Sequence, residues 1–142
     1  MTKQLVHHFI DTQRFAVLAT TSALDGKPQS ALVGIALAPG FELVFDTVRP
    51  SRKYRNLIRN PAVSFVIGCV GEVTAQYEGE ARELSWPALA PLQAVYFSKF
   101  TDGPSRLLWP GITYFAVKPR WIRYSDYSAN PPVIEELLFP SS

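Results

Sequence analysis

The sequence predicts a mainly β protein: an antiparallel barrel of six to seven short strands with two or three short helices. Three observations carry that expectation. Short runs rich in β-branched and apolar residues recur along 142 residues, separated by Gly/Pro turn signals. The first three runs are joined by connections too short for helices, which fits up-and-down pairing and disfavours a doubly wound α/β sheet. A hydrophobic fraction of 47% supplies a core, and the length suits one domain over residues 1–142.

Thr2–Phe9 reads as a lead-in helix, and Arg14–Thr21 as the first strand. Asp25-Gly26-Lys27-Pro28 is a turn, Gln29–Leu37 the second strand, Ala38-Pro39-Gly40 the next turn and Phe41–Thr47 the third strand. Pro50–Asn60 is a helix: Pro50 suits a first turn, Tyr54, Leu57 and Ile58 make an apolar face, and Asn60-Pro61 stops it. Ala62–Val70 is an apolar fourth strand and Val73–Leu84 a long fifth one. Ser85-Trp86-Pro87 opens a second helix with Leu89, Leu92, Val95, Tyr96 and Phe97 at helical spacing. Thr101–Pro110 reads as a loop, Ile112–Val117 and Trp121–Tyr127 as two strands broken at Lys118-Pro119, and the tail from Ser128 as irregular, ending in the acidic-apolar run Val133–Phe139.

The net charge of +2 argues against a polyanion-binding surface, so no nucleic-acid partner is expected. No apolar run approaches the ~20 residues of a membrane span. A single cysteine, Cys69, rules out an internal disulfide and, with no secretory leader apparent, suggests a cytoplasmic setting. Cys69 sits in an apolar run and reads as a buried small hydrophobe. His7 and His8 are adjacent, point about 100° apart on a helix and lack partners at ligand spacing, so no metal site is expected. No Gly-x-Gly-x-x-Gly follows a strand, and no serine has a nucleophile-elbow setting.

Positive charge is instead local. Arg49, Arg52, Lys53 and Arg55 are four of the fourteen Lys and Arg residues, and they crowd with Thr47 and Ser51 into the changeover from strand to helix. A helix N-terminus attracts anions through free N–H groups, and hydroxyls with fixed cations make it a phosphate socket. Arg49 and Arg55 read as solvated charges at its margin. Trp86, Trp109 and Trp121 read as core or interface residues by default, with Trp109, in a Pro/Gly loop, the best candidate to touch a ring or a substrate. Tyr96, Phe97 and Phe100 read as packing residues.

Val17-Leu18-Ala19-Thr20, Asp25-Gly26-Lys27-Pro28, Thr47 with Ser51-Arg52-Lys53, Asn56-Leu57, Asn60-Pro61-Ala62-Val63 and Gly79-Glu80-Ala81 occur in this order over residues 14 to 84. This arrangement resembles the pyridoxamine 5′-phosphate oxidase-like split-barrel flavoproteins, and Lys118-Pro119 with Trp121-Ile122-Arg123-Tyr124 looks like that family's last hairpin. The resemblance implies a homodimer with flavin mononucleotide (FMN) in a cleft at the subunit interface. Thr47, Ser51, Arg52 and Lys53 would surround the flavin phosphate. Ser30, Ala31, Leu32 and Val33 would run beside the ribityl chain and ring, and Thr74 would stand near the flavin. The oxidases carry basic residues on the second strand where this chain has Ala31 and Ala36, and a later Trp and Arg-His pattern that it lacks. The flavin site is therefore expected, with the small-molecule substrate unassigned.

An FMN-dependent oxidoreductase is the leading expectation, although no side chain stands out as general acid or base. The alternatives are a deazaflavin (coenzyme F420) reductase of the same fold, a flavin- or haem-binding carrier or sensor without turnover, and a barrel without cofactor that serves as an interaction module.

Overall fold

The computed structural model describes residues 2–140. Its elements in order are α1 (Thr2–Thr12), β1 (Phe15–Thr21), β2 (Pro28–Gly34), β3 (Ala36–Ala38), β4 (Glu42–Val48), α2 (Arg52–Arg59), β5 (Ala62–Ile67), β6 (Val73–Glu83), α3 (Leu89–Lys99), β7 (Ile112–Asp126) and β8 (Val133–Leu138). Short 3₁₀ turns lie at Pro39–Phe41 and Gly103–Leu108.

All pairings are antiparallel, in the order β2-β1-β5-β6-β7-β4-β3, with β8 added to β7 off that path. β2 and β3 stand at opposite ends of the path, yet only Ile35 separates them in the chain. The sheet must therefore curl until its two edges meet, which makes it a split barrel.

Side-chain alternation fills the barrel. Leu18, Phe45, Phe65, Tyr77, Phe115 and Ile122 face inward and form one core, capped by Val6 and Ile10 of α1. The intervening residues of β3, β4 and β7, among them Ala36, Val44, Tyr114 and Ala116, face outward and meet Tyr96 of α3 and Phe100, its C-cap, in a second core. Tyr77 ties the barrel from within: its hydroxyl donates to the carbonyls of Phe41 at 2.7 Å and Val117 at 3.0 Å. Gly79 sits where the β6–β7 register shifts, and a Cβ there would lie 2.2 Å from the Lys118 carbonyl oxygen, so no other residue fits.

Several boundaries differ from expectation. The two predicted strands around Lys118-Pro119 are one strand, β7, because the bulge opposite Gly79 absorbs the proline without ending the ladder. The tail holds an eighth strand, β8, whose pairing partner is distant in sequence and so invisible locally. The expected loop at Thr101–Pro110 contains a 3₁₀ segment. Pro50 lies outside α2, since Ser51 is its N-cap. β5 ends at Ile67, and Cys69 beyond it is exposed rather than buried.

Candidate functional site

The changeover from β4 to α2 is built around Ser51. Its extended backbone and side-chain oxygen make it the N-cap of α2, accepting from the Tyr54 amide at 3.2 Å. The Thr47 and Ser51 hydroxyls are hydrogen-bonded at 3.1 Å. With the Tyr54 amide satisfied, the amides of Arg52 and Lys53 remain without an intrahelical partner at the positive end of the helix.

α2 is held in place by two of its own side chains. Buried Asn56 accepts from the Ala23 amide at 2.8 Å and donates to Thr20 Oγ1 at 3.0 Å and Gln29 Oε1 at 2.8 Å, so it joins α2 to β1, β2 and the turn between them. The Tyr54 hydroxyl donates to Glu83 Oε1 at 2.9 Å. Glu83 also takes Thr113 Oγ1 at 2.5 Å and the Arg49 guanidinium at 3.4 Å. Burial pushes the Glu83 carboxyl up, but the Thr113 and Tyr54 hydrogen bonds and the Arg49 charge outweigh it and hold the group below the usual glutamate value.

Two cavities meet at this corner. The smaller, of about 230 Å³, is lined by Ser30 and Ala31 of β2, Thr20 and Gln29, and Ser51, Arg52, Lys53 and Asn56 of α2. The larger, of about 450 Å³, has a wall with Arg14, Thr47, Lys53 and the aromatic residues Phe15, Tyr96, Phe100 and Trp109. Lys53 lines both. Neither Arg52 nor Lys53 has a hydrogen-bond or ion-pair partner among the described residues. Burial lowers the Lys53 pKa, with the Asp46 charge opposing. Together these groups offer two unspent cations, one a planar fork and one a point charge, two unspent amides and a hydroxyl. That donor set fits a phosphate dianion.

Other expected site residues lie elsewhere around this corner. Leu32 points outward and is 66% exposed, whereas Val33 is in the barrel core. Thr74 sits on β6 opposite Ser125 and lines neither cavity. Arg49 is engaged by Glu83, and Arg55 is exposed. Trp109 lines the larger cavity, whereas Trp86 is exposed and the Trp121 indole donates to Glu136 at 3.3 Å. Tyr96 and Phe100 are buried in the second core, and both also line the larger cavity.

Sequence reasoning also missed Asn56 as a hub and Asp46 with Arg106 as an ion pair. Asn56 carries a local signal, a polar residue on the buried face of a helix, but Asp46 and Arg106 are separated by 60 positions. Among the described residues no cluster of His, Cys, Asp and Glu is placed to hold a metal ion, and no helix is long and apolar enough to cross a membrane.

The family model of pyridoxamine 5′-phosphate oxidase matches residues 2–126, and the chain belongs to that family. Solved structures with the same fold include a pyridoxamine 5′-phosphate oxidase-related, FMN-binding protein from Nostoc punctiforme, with TM-score 0.70 at 13% identity, covering 99% of this chain and 91% of that one. A haem-binding protein from Mycobacterium smegmatis has TM-score 0.82 at 15% identity over 97% of this chain and 58% of that one. A haem storage protein from Vibrio cholerae has TM-score 0.70 at 16% identity over 84% and 90% of the two chains. This chain spans only 55% and 58% of the length of two of the structures it matches. No curated protein matches the sequence at a significant level.

Proposed function

We propose that the protein is an FMN-dependent oxidoreductase whose residues 1–142 form one flavin-binding domain. The observation that carries this reading is the corner at Thr47–Lys53, where unspent cations and helix amides surround a cavity next to an aromatic one. Ser51, Arg52 and Lys53 hold the flavin phosphate, with the Thr47 hydroxyl fixing Ser51. β2 is an edge strand, so one set of its backbone donors and acceptors is free for the ribityl chain and ring alongside Ser30–Val33. Phe15, Tyr96, Phe100 and Trp109 of the larger cavity, which Lys53 joins to the smaller one, would supply apolar faces for the ring and shield it from water.

When bound, the flavin supplies hydride or electron transfer through its N5; the chain contributes binding and electrostatics. Burial and then the Asp46 carboxylate push the Tyr96 phenol well up, so Tyr96 acts as a neutral donor that orients Asp46 rather than as an acid. The substrate is a small molecule that fits over the ring.

A homodimer fits the outer face of β2-β1-β5. Leu32, Val17 and Val66 stand in one cross-strand row there, with Leu32 66% and Val66 46% exposed, next to half-exposed Phe15. Cytoplasmic residence follows from the cysteine usage and belongs to the same proposal.

Haem carriage is the second reading, favoured by the two haem-related structures of the same fold. Against it, neither cavity is lined by His, Met or Cys, and Tyr96, which could ligate iron, is committed to Asp46 at 3.1 Å. A deazaflavin would use the same phosphate socket. Parallel titration of purified protein with FMN, deazaflavin and haem tests the three. Tightest saturable uptake of FMN supports the proposal, and uptake of haem alone overturns it.

A further inference from the structure

Arg106, on the 3₁₀ segment Gly103–Leu108, is committed in two directions. Its Nε donates to Asp46 Oδ2 at 3.1 Å and its Nη1 to Asp102 Oδ2 at 3.0 Å. The two arms differ in setting. The side chains of Arg106 and Asp46 are 16% and 17% exposed, whereas that of Asp102 is 68% exposed. The other oxygen of Asp46 accepts from the Tyr96 hydroxyl at 3.1 Å. One carboxylate on β4 thus gathers the 3₁₀ segment and α3 at the rim of the larger cavity.

Trp109 closes that segment. Its amide donates to the Arg106 carbonyl at 2.9 Å, its carbonyl accepts from the Ile112 amide at 3.2 Å, and the Arg106 guanidinium lies 5.9 Å from its ring centroid. The ring is half exposed and lines the cavity, with the Arg106 guanidinium beside it.

We propose that Arg106 is a positioning residue: bridged to Asp46, it sets Trp109 as a wall of the larger cavity and thereby selects a flat ring system as the ligand there. The ring-selecting half rests on the reading that this cavity takes the flavin ring or the substrate above it. The charges of Asp46 and Arg106 are spent on each other, so they shape the cavity.

The test uses full-length protein carrying W86F and W121F, in which Trp109 is the sole indole. R106Q, D46N and D102N are compared by acrylamide quenching of Trp109 without ligand, and by affinity for riboflavin, which has the ring but no phosphate. R106Q and D46N are expected to raise the quenching and to weaken riboflavin by about tenfold, equivalent to about 1.4 kcal/mol. D102N, whose pair is solvent-exposed, is expected to change neither. If R106Q does not fold, R106K, which can reach only one carboxylate at a time, is expected to give an intermediate increase in quenching. Unchanged quenching in the folded variants of Arg106 and Asp46, or an effect of D102N equal to that of D46N, overturns the proposal. Failure of the parent protein to bind riboflavin counts against the flavin reading and the ring selection, while quenching still decides whether Arg106 positions Trp109.

Discussion

Thr47 and Ser51 are hydrogen-bonded hydroxyl to hydroxyl at 3.1 Å across the corner between β4 and α2. Thr47 lines the larger cavity and Ser51 the smaller, so this bond marks the border between them, with Lys53 reaching both. A ligand with an anionic end and a flat end would lie across that border.

Lys53 gives the sharpest binding prediction. K53A removes one charge-assisted contact worth about 1.5–3 kcal/mol, so FMN affinity falls roughly 10- to 100-fold while riboflavin affinity is nearly unchanged. Fluorescence titration with both ligands checks this. The lowered Lys53 pKa adds a pH arm: FMN affinity weakens on the alkaline side, beginning below the ordinary lysine value of 10.5, and K53R moves that loss to higher pH.

Ser51 joins stability to binding. S51A leaves the Tyr54 amide uncapped and costs about 1 kcal/mol of stability. The same change removes a phosphate donor, so urea unfolding and FMN titration move together.

Asn56 is the most fragile polar residue of the site. N56L deletes the acceptor of the Ala23 amide and the donors to Thr20 and Gln29; leaving a buried group such as Thr20 Oγ1 unpaired costs about 1–3 kcal/mol, and the half-buried Ala23 and Gln29 groups add less. Urea denaturation is expected to show a loss of several kcal/mol, far above that of the exposed substitution R55A.

Acid stability depends on Glu83. Its folded pKa lies below the ordinary value of 4.5, so its stabilising contribution is fully present above that value and is lost as pH falls through the folded pKa. Unfolding curves of the wild type and E83Q are expected to differ most near neutral pH and to converge on the acid side.

Much of the fold was legible because it is written in local chemistry. The Asp25-Gly26-Lys27-Pro28 turn and the Asn60-Pro61 stop each lie within a few residues of the element they bound. What escaped depends on distant partners. β8 is a strand because β7 supplies its ladder, and Pro119 sits inside β7 because Gly79 of β6 accommodates the bulge. Cys69 follows an apolar run, yet the chain turns away from the barrel after Ile67.

The same division holds at the site. Ser51, Arg52 and Lys53 are neighbours in sequence and line one cavity, as their spacing suggested. Thr74 was placed by resemblance alone, and it is not among the residues that line the two cavities. The Asp46–Arg106 pair had no local signature, because sixty positions separate its members.

A difference-absorbance titration of the purified protein with FMN, run beside one with riboflavin, decides whether the corner at Thr47–Lys53 holds a flavin phosphate. Saturable uptake of one FMN per chain is expected, with riboflavin weaker by about 10- to 100-fold for want of the phosphate contacts. No uptake of FMN, or riboflavin binding as tightly as FMN, would contradict it.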